Sequence, residues 1–399
     1  DARHQVPGVM AKANRMPEHR VLVIGAGIGG LTAASALARF GVQVDLVERR
    51  AALGGHAARF ACKATDRCVK CGACLLAEAI AAATSDPRIR IHAGSQVGGF
   101  RRTARRVEFR IERSGEAMPG DRRSPEAGCD TTPFVSAADA VVLAAGFDVF
   151  DPKDKAYGHG VFPNVITLLE LEHELRRQGA LNRPSDSSAP QRIAFIQCVG
   201  SRDAKLGHLW CSRFCCGAAL RAARRIKFLR PQTEITVFYI DIQSFGRSFE
   251  DSYRQCRQEL RFIRAIPSEA FAVDGGGIRL IYTEGALHPA TEAIFDLVVL
   301  STGMVPPAGL AELAARLGCT PADGGFAPRD PGDGIFAAGA VRGPMSIADS
   351  MADARDAAAR VLAFLNRPWS LPEEPPTPPC RPRGHLIPPS GACSLGPAR

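Results

Sequence analysis

The stretch VLVIGAGIGG, residues 21–30, decides the fold. Residues 21–24 are an apolar, β-branched run, which predicts a buried parallel strand. Gly25, Gly27 and Gly30 then follow as G-x-G-x-x-G, with Ala26, Ile28 and Gly29 between them, and LTAASALARF continues at helical spacing. Gly25 permits the tight turn, Gly27 lets the backbone approach a pyrophosphate, and Gly30 lets helix and strand pack closely. The helix start offers unpaired N–H groups and a positive dipole end to phosphates. A second strand, VQVDLVE, ends at Glu48 beside Arg49. A carboxylate there can accept both hydroxyls of a ribose. Strand, glycines, helix, strand and acidic residue in this order predict a dinucleotide-binding βαβ unit.

Outward from this unit lie Gly54, Gly55 and His56, then two similar strand endings, AVVLAAG (140–146, closing on Ala145 and Gly146) and LVVLSTG (297–303). Near the far end GIFAAG (334–339) precedes a long helical pattern. This set resembles the two-dinucleotide-binding flavoprotein superfamily of thioredoxin reductase, over roughly residues 19–365. The resemblance implies an α/β fold of two Rossmann-like domains, the second inserted in the first, with FAD on the first. It places Val97 where the chain passes the adenine, Gly339 and Ala340 beside the ribityl chain, and Met345, Ser346 and Ile347 beside the flavin ring, at a helix N-terminus suited to negative charge on a reduced flavin. Two departures stand out. Ala340 occupies the place of the superfamily's usual Asp. The second unit opens IQCVGSRD without G-x-G-x-x-G, which implies a nucleotide fold that has lost its pyridine nucleotide.

The chain has 399 residues, enough for two or three domains with real cores, and a net charge of +9. Arginine supplies most of the positive charge, without a basic block interleaved with aromatics. That describes a solvated surface or a docking face for an acidic electron carrier, and gives no support to nucleic-acid binding. No secretory signal or membrane span is expected. Thirteen cysteines in a chain of cytoplasmic character point to metal or redox chemistry.

Eight of those cysteines fall into two groups. Cys62, Cys68, Cys71 and Cys74 lie in ACKATDRCVKCGACLL, spaced C-x5-C-x2-C-x2-C. Three thiolates at three-residue intervals let a short loop curl round an iron–sulfur cube, with Gly72 relieving the backbone near sulfide. Bacterial ferredoxins have a later Cys-Pro, absent here, which makes Cys62 the natural fourth ligand. Structural zinc and a redox disulfide are the alternatives. In the second group Cys198 closes a strand, Cys211 and Cys215 are four apart and expected on one helix face, and Cys216 adjoins Cys215. Spacing alone leaves a cluster, a vicinal dithiol and buried structural cysteines open. Cys129, Cys256, Cys380 and Cys393 are expected to be unliganded.

IQCVGSRD, WCSRFCC and VFYIDIQSFGRSFEDSY resemble the HdrA subunit of heterodisulfide reductase and its HdrA-like relatives. That resemblance implies a 4Fe–4S cluster on Cys198, Cys211, Cys215 and Cys216, hence two 4Fe–4S clusters in all. GGHAARFACKATDRCVKCGACL resembles the form found in sulfur-oxidising bacteria, and no tandem ferredoxin modules follow the flavin domain, so a short HdrA-like chain is expected.

The expected organisation is a flexible leader (1–18), the first part of the FAD domain (19–156) with its cluster loop at 62–74, the inserted domain (157–290), the second part of the FAD domain (291–366) and a proline-rich tail (367–399). The resemblance implies an FAD-dependent iron–sulfur oxidoreductase subunit that converts between two-electron and one-electron chemistry in cytoplasmic sulfur oxidation. Its partners would be other members of the complex and a lipoate-carrying protein, on a homodimeric core. No catalytic proton-relay set is evident. The flavin subunit of a quinone-interacting membrane oxidoreductase, and a stand-alone NAD(P)H-dependent disulfide reductase using Cys215/Cys216 or Cys71/Cys74, are the competing expectations.

Overall fold

The computed structural model describes residues 18–103, 106–114, 134–243, 249–285 and 287–365. The expected leader up to residue 17, most of a polar Gly/Pro/Ser insertion expected at 114–132 with Cys129, and the proline-rich tail with Cys380 and Cys393 lie outside them. β1 (Arg20–Ile24), α1 (Ile28–Arg39) and β2 (Gln43–Glu48) form the expected parallel unit. α2 (Leu75–Ser85) leads to β3 (Ile89–Ala93), which pairs outside β2. An antiparallel meander of β4 (Ser95–Arg102), β5 (Val107–Arg113) and β6 (Phe134–Ala138) then feeds β7 (Ala140–Leu143), on the other side of β1. Strand periodicity divides the core. Val21 and Val23 pack with α1, while Leu22 packs with Phe109 and Ile111 of the meander.

β8 (Asp148–Val149) leads out of this domain. The inserted domain runs through β9 (Val165–Thr167), α3 (Leu168–Gln178), β10 (Arg192–Val199), α4 (Cys215–Leu229), β11 (Glu234–Phe238), α5 (Phe249–Glu259) and β12 (Arg261–Ile263). A second meander, β13 (Glu269–Ala272), β14 (Ile278–Tyr282) and β15 (Thr291–Phe295), feeds β16 (Leu297–Thr302). Its parallel sheet has the order β12-β11-β10-β16-β9. β17 (Met304–Val305) pairs antiparallel with β8, so the chain leaves and re-enters the first domain through one two-stranded link. After α6 (Leu310–Arg316), β18 (Ile335–Ala337) completes the first sheet in the order β18-β7-β1-β2-β3, and α7 (Ile347–Phe364) packs on α1.

Two expectations need correction. The return to the first domain, expected at 291–295, comes after Thr302, because β15 and β16 belong to the inserted domain's meander and sheet. In each domain a meander feeds a central strand, and this repeat is why the segments ending at Gly146 and Gly303 look alike. Cys211 is not on a helix. α4 begins at Cys215, because Arg213, at φ +62°, breaks the helical path before it.

Cys256 on α5 is fully buried in the second core, as expected of a packed cysteine, and burial pushes its thiol up to about 11. A thiol pKa raised in the folded state contributes stability below its unfolded value of ~8.5, lost as pH rises towards the folded one. Unfolding free energy is therefore expected to drop by roughly 2–3 kcal/mol between pH 8 and 11 through this group alone. Urea titrations across that range should show a shallower decline in Cys256→Ala than in the parent.

Candidate functional site

The glycine turn is built by exclusion. Gly25 has φ +102°, and a Cβ on it would stand 2.4 Å from the Ala144 carbonyl oxygen. A Cβ on Gly30 would stand 1.8 Å from the Gly25 oxygen, whereas one on Gly27 would meet nothing within 4 Å. The open side at Gly27 is where a ligand can approach the backbone. No side chain caps α1 and no acidic residue lies in its first turn, so its N-terminus remains available to an anion. Glu48 is buried, its Oε2 accepting the Ala26 N–H at 2.8 Å and its Oε1 the Arg50 N–H at 3.0 Å. Two backbone donors thus fix the carboxylate, and each oxygen keeps acceptor capacity that ribose hydroxyls could use.

A cavity of about 1090 Å³ opens from this turn to the inserted domain. All but four of the expected cofactor residues line it, from Gly25 and Glu48 to Gly146 and Ile347. The exceptions have physical reasons. Ala26 and Gly30 form the packed inner side of the turn, and Val97 belongs to the core with Leu22 and Val47. Gly339 gives its N–H to Asp353 Oδ2 at 2.7 Å, and Asp353 also pairs with Arg342. Asp353 on α7 thus steadies the turn that has Ala340 instead of the superfamily's Asp, while Ala340 itself faces the cavity.

At α7, the Ser346 hydroxyl accepts the Asp349 N–H at 3.1 Å and donates to the Asp349 carboxylate at 2.9 Å. This capping box puts an acidic group at the helix start, and it opposes the expected stabilisation of a reduced flavin. His56 stacks on Phe147 at 4.5 Å, and its Nε2 lies 2.8 Å from the Phe147 carbonyl oxygen. With Nε2 donating, Nδ1 is a buried acceptor without a partner, and burial draws the imidazole pKa below its ordinary value.

Cys62, Cys68, Cys71 and Cys74 all line the same cavity. Lys70 has φ +50°, and its N–H points at Cys68 Sγ, 3.4 Å away. In the second group Arg213 has φ +62°, and its N–H points at Cys211 Sγ, 3.3 Å away. Cys198 lies in a bulge between β10 and β16 and has φ +60°. Of the five non-glycine residues with positive φ among those described, Lys70, Cys198, Arg202 and Arg213 lie in these two loops. Such positions cost roughly 1–3 kcal/mol each and persist only where the surroundings impose them.

Burial, then the charge of Cys216, push the Cys198 thiol up to about 12. A hydrogen bond to Cys216, then burial, raise Cys215 well above the ordinary range, and the same bond lowers Cys216. The four thiols thus lie within electrostatic reach of one another. Among the described residues no three His, Cys, Asp or Glu side chains could hold one metal ion. A cube carries a separate iron to each thiolate and so holds its ligands further apart. A strained loop residue and an N–H aimed at sulfur in both places, with convergent thiols in the second and four cysteines on one cavity wall in the first, suit such clusters.

Sequence reasoning missed the contribution of the inserted domain to the cavity, through Glu172, Phe214, Arg221 and Gln243, among others. No local motif marks these residues, since only the fold brings them to the glycine turn. It also missed the ion pair of Lys63 with Glu172, at 2.7 Å and with both side chains 4% exposed. The second cysteine loop begins at the end of β10, the strand end at which a Rossmann-like unit holds its ligands. There Trp210 Nε1 donates to the Met304 carbonyl at 2.9 Å and Ser212 Oγ accepts the Met304 N–H at 2.8 Å.

Two Rossmann-like domains, one inserted in the other around a shared cavity, define the thioredoxin reductase class of fold. Thioredoxin reductase from Lactococcus lactis superposes over 88% of this chain and 99% of its own, with a TM-score of 0.57 at 17% identity. That from T. acidophilum superposes over 88% and 100%, with a TM-score of 0.56 at 15% identity. Residues 23–83 match the NAD(P)-binding Rossmann-like domain family. More particularly, the chain is a homologue of the HdrA subunit of heterodisulfide reductase. It is 38% identical over 236 residues to HdrA of the H(2):CoB-CoM heterodisulfide,ferredoxin reductase of Methanothermobacter thermautotrophicus, covering 55% of this chain and 36% of that protein. It is 31% identical over 424 residues to the second iron-sulfur HdrA of the CoB–CoM heterodisulfide reductase of Methanopyrus kandleri, covering 87% and 64%. The chain thus spans only part of the length of these relatives.

Proposed function

We propose that the chain is an electron-transfer subunit that binds FAD in the cavity and carries a 4Fe–4S cluster on each cysteine group. The observation that carries this reading is the placement of Cys62, Cys68, Cys71 and Cys74 on the wall of the cavity that the glycine turn opens. A flavin supplies two-electron chemistry and a cluster one-electron chemistry, so the pair converts between them. The protein's own part is to bind, orient and insulate. Gly27 and the α1 N-terminus receive the pyrophosphate, Glu48 the ribose, and the Ala145–Gly146 turn, Ala340 and Met345 border the rest. The second cysteine loop begins at the strand end where a Rossmann-like unit holds its ligands, which favours electron exchange through clusters over NAD(P)H.

In this reading the chain works in a multisubunit complex of the heterodisulfide reductase kind, as the names of its relatives describe for those proteins. The resemblance of GGHAARFACKATDRCVKCGACL to the form in sulfur-oxidising bacteria supports that setting, and the same resemblance would bring a cytoplasmic location, a lipoate-carrying partner and a homodimeric core. Among the described residues no helix is long and apolar enough to cross a membrane. The test is iron, sulfide, zinc and flavin content of anaerobically purified protein, with EPR after dithionite. About one flavin and about eight iron per chain are expected. Flavin without iron, or with zinc, would overturn the reading in favour of a dithiol reductase.

A further inference from the structure

Cys62 stands apart from the compact C-x2-C-x2-C run, six residues before Cys68, with no motif of its own to aim it. The structure supplies another device. The Ala61 N–H donates to Glu172 Oε2 at 3.0 Å, and the Ala61 carbonyl accepts from Lys63 Nζ at 3.1 Å. Lys63 Nζ closes the ring on Glu172 Oε1 at 2.7 Å. Both polar backbone atoms of Ala61 are therefore held, and the second of them belongs to the peptide that carries Cys62. Ala61, Lys63 and Glu172 are buried, whereas Cys62 between them is exposed to the cavity.

Further donors brace the same segment from the inserted domain. Arg176 on α3 reaches the Phe60 carbonyl at 3.0 Å, and Arg225 on α4 reaches the Ala64 carbonyl at 2.8 Å. A buried ion pair is a poor device for stability alone, because desolvation offsets most of the attraction and an apolar pair of similar volume often serves as well. Its value lies in direction: charges with fixed geometry set where a backbone sits.

We propose that the Lys63–Glu172 pair is a clamp that positions Cys62 as the fourth thiolate of the first cluster. The inference rests on the cluster reading above and assigns to α3 of the inserted domain a ligand-positioning role in a cofactor of the first domain. Lys63 and Glu172 are positioning residues and touch no iron.

The test uses the full chain, purified anaerobically, with the parent measured first. Parent protein without iron would overturn the cluster reading and this inference with it. With iron present, the double variant Lys63→Met/Glu172→Leu replaces the pair by apolar side chains and leaves no buried charge unpaired. It is expected to fold and to keep its flavin and second cluster, melting below the parent because the buried Ala61 N–H and carbonyl lose their partners. Its first cluster should lose the corner iron that Cys62 holds, so the oxidised protein gains the EPR signal of a three-iron cluster and iron falls by about one per chain. Cys62→Ser should give the same signal, and Lys63→Arg should keep the four-iron spectrum. An intact first cluster in a folded double variant would reduce the pair to a structural staple. An intact first cluster in Cys62→Ser would remove Cys62 from the ligand set. Either result overturns the inference while leaving the cluster reading in place.

Discussion

Gly30→Ala is expected to yield protein without flavin and with a sharply lowered melting temperature. The added Cβ would lie 1.8 Å from the Gly25 oxygen, 2.9 Å from its carbon and 3.3 Å from Ala144 Cβ. Two of these contacts are to backbone, so no side-chain rotation relieves them. Either α1 lifts from β1 or the Gly25 turn flattens. α1 packs against α2 and α7, so lifting it disturbs the core of Leu31, Ala34 and Leu37. Flattening the turn breaks the 2.8 Å bond from the Gly25 N–H to the Val47 carbonyl and moves the Ala26 N–H off Glu48. Overpacking commonly costs about 1–3 kcal/mol, and here it falls on the residues that would hold the pyrophosphate and ribose. Gly27→Ala separates the two effects. Its Cβ meets only open space, so that variant should fold like the parent and lose flavin alone, as flavin absorbance per chain and thermal melts would show.

The first βαβ unit was legible because each of its constraints is local. Glycines at fixed offsets, an apolar strand and a terminal acid all lie within thirty residues. β9 and the end of the inserted domain were not legible. β9 has three residues and exists only because β16 pairs with it, so no periodicity announces it. Cys211 and Cys215 have helical spacing, yet the chain there takes a left-handed step at Arg213, a tertiary imposition that outweighs local preference. Glu172 sits on the buried face of an amphipathic helix and reads in sequence as one surface carboxylate among several in LLELEHELRR. Only the approach of residues 60–64 from the other domain turns it into a partner of Lys63. The meeting of first-group cysteines, glycine turn and α3 at one cavity is of this kind, since it depends on the two-stranded link that sets one domain against the other.

The second large effect concerns the cysteines themselves. If each group holds its own cube, Cys71→Ser and Cys198→Ser should each remove about four iron per chain and leave the other cluster's EPR signal unchanged. The two variants differ in what remains. Cys71 lies in a half-exposed loop, so its loss leaves thiols in contact with solvent and should barely alter the melting temperature beyond the loss of metal-linked stability. Cys198 lies at a bulge at positive φ, beside the buried Cys215 and Cys216, and burial with the bond to Cys216 disfavours an unshared thiolate at Cys215. Without iron, three strained or buried positions persist with nothing to answer them, so Cys198→Ser should melt lower than Cys71→Ser and resist reconstitution with iron and sulfide. A single signal in the parent, lost in both variants, would mean instead that the two groups share one cluster. In that case iron in the parent would be about four, and the converter would consist of the flavin and a single one-electron centre.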